Sequence, residues 1–354
     1  MRRPIDGLDL KVMEKTQKRL DNLTKPQGSL GKLEALAKLV TGITGKESPS
    51  TKNKIIFTCA GDHGVTEEGI SVFPKEVTPQ MVYNFLKGGA GINVLARHAG
   101  ARVIVVDMGV AADLNPHKDL VSKKIAYGTR NMAKGPAMSR EEAIRSIESG
   151  TEAFDAEFAK GVDIIGTGDM GIGNTTPSSA ITAVLTSRQP AEVTGRGTGI
   201  DDDMLRHKID VIERSIKVNR PDASDAIDVL SKVGGFEIGG LAGIILAAAS
   251  KRVPVVIDGF ISGAAALIAY HINPKVKDYL IAGHASVEKG HRVMLRHMGL
   301  EPVLDLGMRL GEGTGAALVI NIVDASVKIL TEMASFKEAA VSEKEKKCET
   351  SQQQ

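Results

Sequence analysis

Short runs rich in valine and isoleucine recur at residues 54–60, 102–107, 163–166, 253–258, 279–283 and 302–306, and most end in Gly or Asp. They are apolar at consecutive positions, as strands buried on both faces of a parallel sheet are. Parallel neighbours need long crossovers, and helical patterns stand between the runs. Leu30, Leu33, Ala37, Val40 and Ile43 share one helical face, with Ser29 as candidate N-cap. Ser139 and Glu142 form a capping box that opens a long helix toward Lys160. Further helices are expected at 201–218 and 314–333. The order predicts an α/β fold of three layers, α/β/α, with a mainly parallel Rossmann-like sheet and a smaller helical domain. In such a fold ligands gather at the carboxyl ends of the strands. The expected division is a large α/β domain over 30–280, carrying active-site loops. Residues 1–29 with 281–336 would form the smaller, mainly helical domain with a catalytic loop. From residue 337 charge and polarity dominate, and 337–354 reads as a disordered tail.

A chain of 354 residues with 42% hydrophobic content can bury a sizeable core. Lys and Arg number 45 against 43 Asp and Glu, so no nucleic-acid surface is expected and an anionic ligand needs a local site. The two cysteines, Cys59 and Cys348, build neither a disulfide framework nor a thiolate metal site, which points to a reducing compartment. The N-terminus lacks the apolar segment of a signal peptide, and the stretch 238–249 is too short to span a bilayer. A cytoplasmic protein without membrane partners is expected. Glycine is abundant, at 38 residues, which suits backbone loops that approach a ligand closely.

Four segments carry chemistry. Residues 166–177, Gly-Thr-Gly-Asp-Met-Gly-Ile-Gly-Asn-Thr-Thr-Pro, contain a formal GxGxxG. That is a dinucleotide fingerprint, and it supports an NAD-dependent oxidoreductase as one alternative. The following helix would begin near Thr176, later than the fingerprint requires, and the Asn and Thr side chains suit a single phosphate equally well. Residues 195–203 form a second Gly-rich loop, followed by Lys208, which can reach an anion or remain a solvated lysine. In 283–291 Ser286 suits a helix cap or a phosphate. His284, Glu288 and His291 lack zinc-ligand spacing, so no metal is expected. Asp62-His63 reads either as catalytic or as a polar strand-end cluster. In 309–315 Glu312 stands between glycines on a loop, where a carboxylate has little structural purpose and a ligand can approach it.

Taken together, these segments resemble the nicotinate-nucleotide–dimethylbenzimidazole phosphoribosyltransferases of cobalamin assembly. The resemblance also rests on Leu23-Thr-Lys-Pro-Gln-Gly-Ser-Leu-Gly-Lys-Leu-Glu34, Ala60-Gly-Asp-His-Gly-Val65 and Phe73-Pro-Lys-Glu-Val-Thr-Pro-Gln-Met-Val82. It continues through 88–96, Gly128-Thr-Arg-Asn-Met132 and 237–243, and it covers residues 5–333 in order. It implies transfer of ribose 5-phosphate from nicotinate mononucleotide to a benzimidazole, without cofactor or metal, by a homodimer. Glu312 matches the family's catalytic Glu, which takes the N–H proton of the benzimidazole. Gly171, Asn174 and Thr175 look like phosphate and ribose contacts, with Lys208 and Ser286 beside them. Gln80, Met170 and Leu310 look like walls of the base pocket. Asp169 stands where the family often has Glu, and an auxiliary catalytic role is expected of it. A non-catalytic nucleotide-binding subunit is the other alternative, against which the presence of Glu312 argues.

Overall fold

The computed structural model describes residues 3–197 and 199–342. Part of the expected tail, 343–354 with Cys348, lies outside the described residues, as does Thr198. Six strands form one sheet: β1 (Lys54–Gly61), β2 (Ala101–Gly109), β3 (Leu120–Ser122), β4 (Ile164–Met170), β5 (Val255–Ile257) and β6 (Leu280–Ala282). They are all parallel, in the order β3-β2-β1-β4-β5-β6. Strands added after β1 extend one way and those after β3 extend the other, which leaves a crevice at the carboxyl ends of β1 and β4.

Side chains along β1 divide between two cores because successive residues of a strand point to opposite faces. Ile55, Phe57 and Cys59 enter the core shared with the helices Arg140–Phe158, Phe236–Ser250 and Phe260–Ile272. Ile56 and Ala60 enter the core under Lys32–Thr44, Val77–Lys87, Gly91–Ala99 and Thr314–Glu332. With both faces covered, the three-layer α/β/α arrangement is established.

Local signals are realised where their partners are nearby in sequence. In the capping box the Glu142 N–H donates to Ser139 Oγ at 3.1 Å and the Ser139 N–H donates to Glu142 Oε2 at 2.7 Å. Asp201 caps Asp202–Asn219 by accepting from Met204 N at 2.9 Å. The helix Lys32–Thr44 is capped at Gly31, at φ 52°, and not at Ser29. Gly31 enters the left-handed region that a serine resists, and the chain turns there.

Two strand expectations change. The run 302–306 is reduced to one parallel bridge, Leu304 with His284. Pro302 has no N–H to give, so the segment meets the sheet only through Val303 and Leu304, whose N–H groups donate to Ala282 and Gly283. β3, a half-exposed edge of three residues, is too short to leave a pattern. At the N-terminal end, Leu20 and Leu23 pack with Ala37 and Leu330, and Arg19 Nε donates to the Leu330 carbonyl at 2.7 Å. Thr314–Glu332 is the one described helix long and apolar enough to cross a membrane. Its Ala316, Val319, Ile320 and Val323 are buried in the core beneath the sheet.

Candidate active site

Glu312 sits on a backbone that crosses the left-handed region three times in succession: Gly311 at φ 82°, Glu312 at 63° and Gly313 at 98°. A non-glycine residue held there costs about 1–3 kcal/mol, so its surroundings must impose the conformation. They do so from three strands. Asp258, which follows β5 and is fully buried, accepts the N–H groups of Gly313 (3.1 Å), Gly315 (2.6 Å) and Ala316 (3.2 Å). It thereby caps Thr314–Glu332, where an anion is favoured by the helix dipole. Thr58 of β1 donates its hydroxyl to the Glu312 carbonyl at 3.0 Å. Gly168 of β4 leaves room for that same carbonyl, which any Cβ there would overlap.

The Glu312 carboxylate is 5% exposed, and its Oε2 accepts from Ile92 N at 3.0 Å, in the first turn of Gly91–Ala99. Burial pushes its pKa above the usual carboxylate value. The Ile92 N–H opposes that, and the charge of Asp258 adds to it. A carboxylate whose pKa is raised in this way is a stronger base than an ordinary one, as proton acceptance requires. Asp169, next to last in β4, lies beside Gly311 and accepts from Asn174 Nδ2 at 2.9 Å. Burial first, then the charge of Asp258, raises it to about 8. At neutral pH Asp169 is therefore mainly protonated.

A second group lies around the N-terminus of Thr175–Thr186. Lys208, buried at 2% exposure, donates to Thr175 Oγ1 at 2.6 Å. Burial lowers its pKa to about 8, against the opposing charge of Glu288. Because Thr175 accepts from Lys208, its own hydroxyl hydrogen is left to donate. Ser286 gives its N–H to His291 Nδ1 at 3.1 Å. His291 is buried, which takes its pKa down to about 3 and keeps it a neutral acceptor. A lysine, hydroxyls and a helix N-terminus suit a phosphate monoester.

A cavity of about 340 Å³ joins the two groups. Glu312, Asp169, Met170, Gly171, Asn174, Thr175, Ser286 and Leu310 all line it. Lys208 stands behind Thr175. Gln80 does not line it: the residue is exposed on Val77–Lys87, and Val77 and Met81 face the cavity in its place. A wider surface cleft, about 740 Å³ beside Asp21–Gln27 and Phe336, has no comparable convergence of groups.

The family description Phosphoribosyltransferase matches residues 5–341. The nicotinate-nucleotide–dimethylbenzimidazole phosphoribosyltransferase of Desulforudis audaxviator is 59% identical over 339 residues, covering 96% of each chain. That of Geotalea uraniireducens is 60% identical over 341 residues, covering 96% of this chain and 97% of its own. The crystal structure of the Thermus thermophilus enzyme of the same name superposes with a TM-score of 0.90 at 42% identity. It covers 95% of this chain and 100% of its own. The chain belongs to the nicotinate-nucleotide–dimethylbenzimidazole phosphoribosyltransferase family.

Family membership disfavours the oxidoreductase, even though the strand order is that of dinucleotide-binding folds. The glycines give the physical reason. Gly166 and Gly168 lie inside β4, not in the turn after it. A Cβ at Gly166 would meet Ile56 Cδ1 at 2.5 Å and Ala316 Cβ at 3.0 Å. These glycines admit the Glu312 loop and its helix to the strand, so they are not available to cradle a pyrophosphate.

Asp62-His63 resolves into a strand-end cluster outside this phosphoribosyltransferase cavity. Asp62 Oδ2 accepts from Ala111 N at 2.7 Å, and His63 Nε2 meets Glu237 Oε1 at 2.8 Å. Burial pushes the His63 pKa down, but the Glu237 charge and hydrogen bond outweigh it and leave it raised. Sequence reasoning missed Asp258 and the Ile92 N–H. An Asp ending a buried apolar run was a signal for the first. The second is a backbone group and carries no side-chain signature.

Proposed function

We propose that this phosphoribosyltransferase moves ribose 5-phosphate from nicotinate mononucleotide to 5,6-dimethylbenzimidazole or a related base. The products are nicotinate and the α-ribotide, α-ribazole 5′-phosphate, which serves the lower-ligand nucleotide loop of cobalamin. The observation that carries this reading is the shared cavity: a buried, N–H-anchored Glu312 carboxylate and Thr175, which Lys208 backs from behind, line one space.

The phosphate binds at Thr175, Lys208 and Ser286, with Gly171 and Asn174 beside it, and Met170 and Leu310 flank the base. A benzimidazole nitrogen lone pair attacks C1′ from the face opposite nicotinate, so the β-linkage becomes α. The C1′–N bond to nicotinate breaks and its electron pair returns to the pyridine nitrogen, so no acid is needed. Positive charge grows on the benzimidazole, and Glu312 stabilises it and takes the N–H proton. Asp169, held protonated below about pH 8, adds no second negative charge beside the base. Holding both substrates in one cavity supplies much of the acceleration. The chain acts in the cytoplasm as a homodimer, which suits Phe73 and Leu310, cavity-lining residues that remain 48% and 59% exposed.

Incubation with nicotinate mononucleotide and a panel of bases, with products identified by mass and anomeric NMR signals, tests the reaction. Glu312→Gln should lower turnover by about 10²- to 10⁴-fold while the nucleotide still binds. Wild-type turnover in that variant would remove Glu312 as the base.

A further inference from the structure

Two histidines meet on the surface, away from the cavity. His271 stands in the last turn of Phe260–Ile272 and His297 in the last turn of Lys289–Met298. Their Nε2 atoms are 3.1 Å apart, the ring planes lie within 12° of each other and the ring centroids are 5.2 Å apart. Tyr270 stands edge-on to both rings, with centroids at 5.7 Å and 6.1 Å. The two helices approach closely because Gly263 has no side chain: a Cβ there would meet Met294 Sδ at 2.9 Å and His291 Cδ2 at 3.1 Å. Phe260, at the other end of the first helix, lines the cavity. The helical rise puts about 16 Å between it and His271.

Burial does not explain the pairing. His297 is exposed and His271 is half-buried, so water is at hand for both nitrogens. In the ion-free pair one imidazole N–H donates to the lone pair of the other. When the proton of each ring sits on Nδ1, both Nε2 lone pairs face one point. Imidazole nitrogens held at about 2.0–2.1 Å by one tetrahedral zinc ion stand about 3.3 Å apart. The observed spacing reaches that value with a small swing of the exposed His297 ring. The carbonyl ends of both helices favour a cation at the same place. No third His, Cys, Asp or Glu completes the group among the described residues, so water fills the remaining positions and the ion exchanges readily.

We infer that His271 and His297 form a surface site for a divalent transition-metal ion. It takes an ion that favours imidazole nitrogen, Zn²⁺, Ni²⁺ or Cu²⁺, and not an oxygen-preferring ion such as Mg²⁺. The inference is independent of the reading of the reaction. A bound ion ties together the C-terminal ends of two helices whose opposite ends, at Phe260 and Glu288, border the cavity.

Calorimetric titration of the untagged full-length protein with Zn²⁺, after removal of metals by a chelator, tests this. Wild type should bind one equivalent and give no saturable heat with Mg²⁺. His271→Ala and His297→Ala should each weaken Zn²⁺ binding by about tenfold or more, the loss that even an outer partner of a metal ligand causes. His98→Ala, at an exposed position on Gly91–Ala99, should leave it unchanged. Electron paramagnetic resonance of wild type with one equivalent of Cu²⁺ should show hyperfine splitting from two nitrogens, a readout that does not depend on how the variants fold. No saturable Zn²⁺ binding in wild type, unchanged affinity in either variant, or a Cu²⁺ spectrum without two nitrogen ligands overturns the inference.

Discussion

At the scale of single residues, two buried groups that titrate near pH 8 set opposite expectations. Lys208 must carry its proton to hold a phosphate, and burial has brought its pKa down to about 8. Nucleotide affinity should therefore be flat up to about pH 8 and weaken with further rise in pH, and Lys208→Ala should bind weakly without that break. Titration of nicotinate mononucleotide across pH 6.5–9.5 checks this; an unchanged break in the variant would assign it to another group. Asp169 goes the other way in stability. Its folded pKa is raised from 3.8 to about 8, so the folded state prefers the protonated acid. The stability it contributes is complete below pH 3.8 and is lost as pH rises through 8, by at most about 6 kcal/mol. Asp169→Asn should remove that part of the slope. Urea melts of both proteins at pH 5 and pH 8 measure it, and parallel slopes would disprove it.

At the scale of elements, the Glu312 loop depends on a strand with no side chains where the loop touches it. Gly168 lies in β4, and a methyl there would overlap the Glu312 carbonyl and stand 2.7 Å from Gly313 N. Gly168→Ala should shift the loop, lower kcat by about 10²-fold and cost about 1–3 kcal/mol. Nucleotide binding at Thr175 and Lys208 should change much less. Steady-state kinetics with a thermal melt separates these effects, and wild-type kcat would show that the loop is not seated by β4. The helix signals were legible because their partners are close in sequence: Ser139 and Glu142 are three residues apart. The strand at 302–306 was misread because periodicity does not register a proline whose missing N–H limits pairing to one bridge.

At the scale of the whole molecule, the strand order β3-β2-β1-β4-β5-β6 brings the ends of β1, β4 and β5 to one crevice. Every group that positions Glu312 comes from one of these strands or from the start of Gly91–Ala99. The cavity keeps large apolar side chains exposed, Phe73 at 48% and Leu310 at 59%. Sedimentation velocity at micromolar protein should show a dimer of about 75 kDa, twice the 37.5 kDa chain; a single 37.5 kDa species would remove the dimer from the proposal.

The sequence by itself determined the parallel α/β class, the capping box, the Gly-, Asn- and Thr-rich composition of 166–177 and the exceptional setting of Glu312 between two glycines. These are patterns over a few residues, and local backbone physics reads them directly. Only the tertiary structure decided that Ile92 anchors Glu312 across 220 residues, and that Asp258 caps a helix 55 residues onward. It also decided that Gly166 and Gly168 serve packing, and that Gln80 is exposed and outside the cavity. Those outcomes depend on which strand ends become neighbours, and strand order is set by packing the whole sheet between its two helical layers.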